Sequence, residues 1–121
     1  MTVEEIRNIC LSLKGTEESI KWENHLCFTI GGKMFFVVNP DNFPINGSFK
    51  TTPEIFDYLT ELDGFIPAPY LAKHYWVQFD NMECFNKVKW TEHIERAYSL
   101  ILEKLPLKVK KQISEIKNSN N

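Results

Sequence analysis

Hydrophobic and polar positions alternate along this chain with two different periods, and the changes between them mark its elements. Val3, Ile6, Ile9/Cys10 and Leu13 recur at three-to-four spacing, the stripe of an amphipathic helix. Thr2-x-x-Glu5 forms a capping box in front of it, and Gly15 ends it. From His25 the period drops to two: His25 to Ile30 and Lys33 to Val38 read as strands joined by Gly31-Gly32, a two-residue hairpin turn. If Ile30 faces Lys33, then Leu26, Phe28, Ile30, Lys33, Phe35 and Val37 share one face. His25, Cys27, Thr29, Met34, Phe36 and Val38 share the other. Both faces are largely apolar, so the sheet is expected to be covered on one side and partly sheltered on the second.

Asn39-Pro40-Asp41-Asn42 reads as a turn and Ile45 to Lys50 as a short strand weakened by Gly47. Thr52-Pro53 starts a second helix with stripe Ile55/Phe56, Leu59 and Leu62 and a stop at Gly64. Ile66-Pro67-Ala68-Pro69-Tyr70 is expected to be irregular, and His74 to Phe79 a strand with Tyr75, Val77 and Phe79 on one face. Residues 81–90 fit no single pattern. Thr91 is read as the cap of a last helix with stripe Ile94, Tyr98, Ile101 and Leu105, broken by Pro106. The resulting order, helix, three strands, helix, strand, helix, predicts an α+β fold: a small, mainly antiparallel sheet with helices packed on one face. One domain over residues 1–115 and a mobile tail over 116–121 complete the expected organisation.

Composition and charge narrow the function classes. The 121 residues carry 14 Lys+Arg and 16 Asp+Glu, a net charge of −2, so the whole-protein basic signature of many nucleic-acid binders is missing. The charge is uneven, however: residues 1–63 hold 5 basic against 10 acidic residues and residues 64–121 hold 9 against 6, with Lys104, Lys108, Lys110, Lys111 and Lys117 near the end. Cys10, Cys27 and Cys84 are odd in number and widely spaced, which argues against a disulfide framework and for a reducing cytoplasm. The acidic N-terminus and the short apolar runs predict neither a secretion signal nor a membrane span.

Catalytic and metal constellations are weak. His25 and Cys27 share a strand face at i, i+2, too few ligands for a metal even with His74 and Cys84 added. No helix start or basic cluster activates a cysteine, and Glu4/Glu5, Glu17/Glu18 and Asp57/Glu61 read as helix-start or solvated acids. Gly31-Gly32 lacks the context of a phosphate loop. No catalytic residue, metal or cofactor is therefore predicted, and an enzyme is not expected. What stands out is Trp22, Lys33, Lys50, Tyr70, Lys73, His74 and Trp76, in which lysines that neutralise phosphates neighbour aromatic stacking surfaces.

The same positions carry a family resemblance. Gly15-x-x-Glu18 before Trp22, then Gly32-Lys33-Met34-Phe35, Phe49-Lys50 ahead of a short helix, Pro69-Tyr70, His74-x-Trp76-Val77, and Tyr98 ahead of Leu105-Pro106 together resemble the MmcQ/YjbR family, from the first helix to Pro106. Two departures are Ala97, where many members have serine, and Tyr75, inserted between the usual histidine and tryptophan. The resemblance implies a small bacterial domain with a CyaY-like (frataxin-like) fold and wing-like hairpins similar to a phage double-wing DNA-binding domain. It also implies DNA as a partner, although fold alone does not fix function. Frataxin-like iron binding is not expected, because the first helix offers only Glu4 and Glu5 beside Arg7 and Lys14.

Two functional readings follow. In the first, Lys33, Lys50, Lys73 and Trp76, with Tyr70 and His74 nearby, line a sheet face that contacts DNA phosphates, helped by the C-terminal lysines. In the second, a non-enzymatic domain binds a protein or a small anionic ligand in a pocket framed by Trp22, Tyr70, Trp76 and Tyr98, with Lys50 or Lys73 pairing the anion. A continuous positive surface favours the first reading, and a concave pocket with one or two cations favours the second.

Overall fold

The computed structural model describes residues 1–116, so the segment 117–121, most of the expected tail, lies outside the described residues. Twelve elements appear in chain order, two of them single 3-10 turns. They are α1 (Val3–Leu11), β1 (Glu17–Lys21), β2 (His25–Ile30), β3 (Lys33–Asn39), β4 (Asn46–Lys50), α2 (Pro53–Leu59), β5 (Phe65–Pro67), a 3-10 turn (Ala72–His74), β6 (Trp76–Phe79), a 3-10 turn (Met82–Cys84), α3 (Lys87–Glu103) and α4 (Leu107–Ser114). The strands form one antiparallel sheet in the order β1-β2-β3-β4-β6-β5.

The caps read from the sequence are made. The Thr2 hydroxyl accepts from the Glu5 amide while the Glu5 carboxylate accepts from the Thr2 amide, which satisfies two donors that a helix start leaves free. Thr52 caps α2 with Pro53 inside its first turn.

The hairpin faces differ from expectation at one place. Phe28 pairs with Phe36 and Thr29 with Met34, so Phe35 is an extra residue in β3, a β-bulge. The bulge turns two successive phenylalanines toward the helices. Phe35 meets Tyr98 edge-on at 5.7 Å between ring centres, and Phe36 meets Trp90 at 5.7 Å. Leu26, Phe28, Phe36 and Val38 therefore share the helix side, contrary to the strict alternation that separated Phe28 from Phe36. The main core is closed by Trp90, which packs edge-on against Phe36, Phe49, Phe79 and Phe85 and donates its indole N–H to the Met82 carbonyl at 2.8 Å. That bond satisfies the polar atom of a fully buried ring.

Four further expectations need correction. Glu17–Lys21 is a strand, returned to β2 through Trp22 and Glu23 at φ 49° and 74°, a turn made without glycine and so without a sequence signal. Glu18 is correspondingly no solvated acid: it takes the Arg7 Nε and Nη2 at 2.5 and 3.0 Å and ties β1 to α1. Phe65–Pro67 is a short strand rather than irregular chain, tolerated because β5 is an edge where proline needs no amide proton. His74 and Tyr75 precede β6 instead of belonging to it: His74 ends a 3-10 turn and Tyr75 adopts φ 61°, ψ 47°. Finally, α3 begins at Asn86, whose side chain accepts from the Lys89 amide, so Thr91 lies inside the helix. After Pro106 the chain starts α4, which buries Ile113 in the core.

All four helices contribute to the main core on one side of the sheet. The other side carries a smaller cluster, Cys27, Val37, Ala68 and Trp76, packed by Met34 and Leu71, so the connection from β5 to β6 shelters it.

Candidate functional site: a cationic notch at the end of the sheet

β3 is longer than its neighbour. Its pairing with β4 runs from Phe36–Phe49 to Asn39–Asn46, so Lys33 and Met34 project past the level of the last β4 residue, Lys50. β6 begins at the same level, with Trp76 opposite Lys50. The chain leaves β4 for α2 and enters β6 from a 3-10 turn, which leaves a notch between the overhanging hairpin and that turn. The C-terminal end of α3 closes it from the helix side.

The notch encloses about 490 Å³. Lys33 and Met34 line it from β3, Lys50 from β4, and Leu71, His74 and Trp76 from the β5–β6 connection and the start of β6. Ile101, Lys104, Leu105 and Pro106 line it from the end of α3 and the break after it. Three lysines and one histidine thus line a largely apolar recess, with no carboxylate in the lining among the described residues.

Lys50 is the unusual member. Only 6% of it is exposed, and its Nζ donates to the His74 carbonyl while lying 5.5 Å from the centre of the Tyr75 ring. No acidic side chain forms an ion pair with it among the described residues. A buried charge with no opposite partner is costly, so the group's proton affinity falls; burial is the larger cause and the Lys104 charge the smaller. The left-handed backbone at Tyr75, unusual for a bulky residue, ends the 3-10 turn whose His74 carbonyl meets the lysine.

Four of the predicted site residues, Lys33, Lys50, His74 and Trp76, line this notch. Tyr70 and Lys73 do not: Tyr70 is 97% exposed at φ 67°, and Lys73 is exposed on the 3-10 turn. The expected aromatic frame is not assembled. Trp22 sits at the β1–β2 turn against His25, at 5.8 Å between ring centres, and Tyr98 packs on Phe35 with its hydroxyl donating to the Lys14 carbonyl at 2.5 Å. Trp76 alone of the four lines the notch, and it is 4% exposed, so only an edge of its ring is available. Lys104, grouped by sequence with the tail lysines, is a wall of the site; it caps the C-terminal end of α3, where the helix dipole favours a cation.

Of the metal and nucleophile candidates His74 lines the notch, whereas His25, Cys27 and Cys84 are outside its lining. His25 shares its Nδ1 with the Asn24 side-chain oxygen at 3.0 Å, and Cys27 is buried beneath the second face. All three cysteines are unpaired. Burial pushes each thiol up, Cys84 to about 12 with help from the Asp80 charge. Among the described residues no three His, Cys, Asp or Glu side chains gather as a metal ion would need, and no helix is long and apolar enough to cross a membrane.

The class defined by this geometry is an α+β domain with a six-stranded antiparallel sheet, helices on one face and a lysine-lined notch at one sheet end. The YjbR family profile matches residues 11–100, and the chain belongs to that family. The crystal structure of Deinococcus radiodurans protein DR2400, of the DUF419 domain family, superposes with a TM-score of 0.82 over 93% of this chain and 88% of that one, at 21% identity. At that identity the likeness establishes the fold. No curated protein matches the chain.

Proposed function

We propose that this protein is a binding module, without turnover, that takes a small anionic ligand into the notch between β3, β6 and the end of α3. The observation that carries the reading is the set Lys33, Lys50 and Lys104 around a recess that no carboxylate lines among the described residues, with Lys50 almost fully buried. Cations gathered without counter-charges repel one another, and an anion entering the notch relieves that repulsion. The walls of Met34, Ile101, Leu105 and Pro106 suit an apolar body attached to the anionic group.

DNA binding has less support. Lys50 and Trp76 are 6% and 4% exposed, too recessed for a duplex backbone, which leaves Lys33 and Lys73 of the sheet-face set exposed, with the C-terminal Lys104, Lys108 and Lys111 beside them in that reading. The reading extends to a bacterial cytoplasm, supported by the three unpaired cysteines, which fit a reducing compartment.

An amide-resolved NMR titration tests the proposal, with inorganic pyrophosphate, citrate and a short DNA duplex as separate probes. Pyrophosphate or citrate is expected to shift residues 33–34, 50, 74–76 and 101–105 in the wild type and to lose that effect in Lys50→Met. The absence of shifts at these positions with both small anions overturns the reading, as does a stronger response to the duplex.

A further inference from the structure

Lys50 has features that charge pairing alone does not need. An ammonium meant only to attract an anion works as well on the surface, where solvation costs nothing, as do Lys33 and Lys104 on the rim. Among the described residues Lys50 is the single buried lysine. Its position is fixed by the His74 carbonyl at its Nζ, the Tyr75 ring beside it and Trp76 opposite it in the sheet. Among the described residues the charged and titratable groups around it in the notch lining are Lys33 from β3, Lys104 at the end of α3 and His74 from the 3-10 turn, with no acid among them.

We infer that Lys50 is a carbonyl-reactive amine that holds its ligand as an imine, and that the ligand class is small anionic aldehydes and ketones such as 2-oxo acids. The inference rests on the anion-binding reading and adds a covalent bond to it. A lysine becomes a nucleophile when it is desolvated or placed beside another cation, and Lys50 meets both conditions. The same two causes lower its proton affinity, so a larger fraction carries the free lone pair near neutral pH than for a solvated lysine.

The chemistry balances without an oxidant or reductant. The lone pair of the neutral Lys50 amine attacks the carbonyl carbon, the C–N bond forms as the C=O π pair moves onto oxygen, and one proton passes from the nitrogen to that oxygen to give a carbinolamine. Loss of one water molecule then leaves the C=N bond, and hydrolysis reverses the sequence. Lys33 and Lys104 flank the same recess and pair the ligand's carboxylate, which holds the carbonyl carbon near Nζ and raises the effective concentration of the reaction. The apolar wall accommodates a short carbon chain.

Reductive trapping tests this on the intact chain. The protein is incubated with pyruvate and sodium cyanoborohydride at pH 7, and the adducts are mapped by peptide mass spectrometry. Lys50 is expected to be modified faster than any exposed lysine, because its burial and the neighbouring Lys104 charge leave it more of the free amine near neutral pH. Its labelling rate should also plateau at lower pH than that of the exposed lysines, and Lys104→Gln should raise the pH of that plateau. Lys50→Arg, whose retained fold is checked by circular dichroism, should show no adduct at position 50. Labelling of Lys50 no faster than the surface lysines, while citrate still shifts the notch amides, overturns the imine and leaves the anion site standing. Loss of both responses overturns both.

Discussion

His93 provides a quantitative test of how tightly α3 is sealed against the sheet. Its ring stacks on Phe85 at 4.5 Å and tilts against Phe49 at 5.3 Å, and its Nδ1 lies 3.2 Å from the Arg96 Nη1. A guanidinium only donates, so Nδ1 must accept and the ring is neutral with its proton on Nε2. Burial first, then the charges of Arg96 and Lys89, lower its pKa from 6.5 to about 4, against a smaller opposing effect of Glu92. In the unfolded chain the imidazole titrates near 6.5. Below that pH the unfolded state binds a proton that the folded state refuses, so this contribution to stability is present at neutral pH and is lost as pH falls from about 6.5 toward 4. Between pH 7 and pH 5 the linkage amounts to about 2 kcal/mol, reduced to ~1–2 kcal/mol when residual solvent contact of the ring is allowed for. For a chain of this size that corresponds to a fall in Tm of roughly 4–8 °C. The assay is urea unfolding of wild type and His93→Gln at pH 7 and pH 5. The glutamine variant starts less stable because it loses ring stacking, but it should lose ~1–2 kcal/mol less than wild type between the two pH values. Equal losses in both proteins, or an imidazole that titrates near 6.5 by NMR, would refute the sealed packing.

Gly47→Ala should destabilise by more than about 3 kcal/mol in urea unfolding, since a Cβ there would stand 2.2 Å from the Val37 carbonyl oxygen and 2.8 Å from the Phe79 ring in the middle of the sheet. Unaltered stability would mean that β4 does not pair as described. Tyr98→Phe removes the donor to the Lys14 carbonyl and should cost about 1–2 kcal/mol while leaving citrate binding intact, because Tyr98 is not part of the notch. A loss of binding with unchanged stability would contradict that separation. Lys104→Glu places an acid in the recess and should weaken citrate binding by about tenfold or more in calorimetry, with the difference shrinking at high salt. An affinity equal to wild type would remove Lys104 from the site.

Much of this architecture was legible in local pattern. The capping box at Thr2, the Gly31-Gly32 turn, Thr52-Pro53 and the break at Pro106 are signals within a few residues, because caps and tight turns depend on local hydrogen bonds and φ angles. The features that were not legible share a different origin. β1 turns at Trp22 and Glu23, residues with no turn preference, and is stabilised by pairing with β2 and by Arg7 from α1. The bulge at Phe35 overrides strict alternation because both Phe35 and Phe36 gain a place in the core against α3. α4 looked like a solvated lysine run because only Val109 and Ile113 of its residues after Leu107 pack inward.

The same division applies to function. Residue types alone determined an α+β chain of the YjbR kind with lysines and aromatics at Lys33, Lys50, His74 and Trp76, since those positions belong to short motifs. Tertiary structure alone decided that they surround one recess, that Lys104 joins them while Tyr70, Lys73, Trp22 and Tyr98 do not, and that Lys50 is buried with no acid beside it among the described residues. The physical reason is that charge and burial are properties of a neighbourhood assembled from β3, β4, β6 and the end of α3. No spacing along the chain encodes the overhang of one strand beyond another.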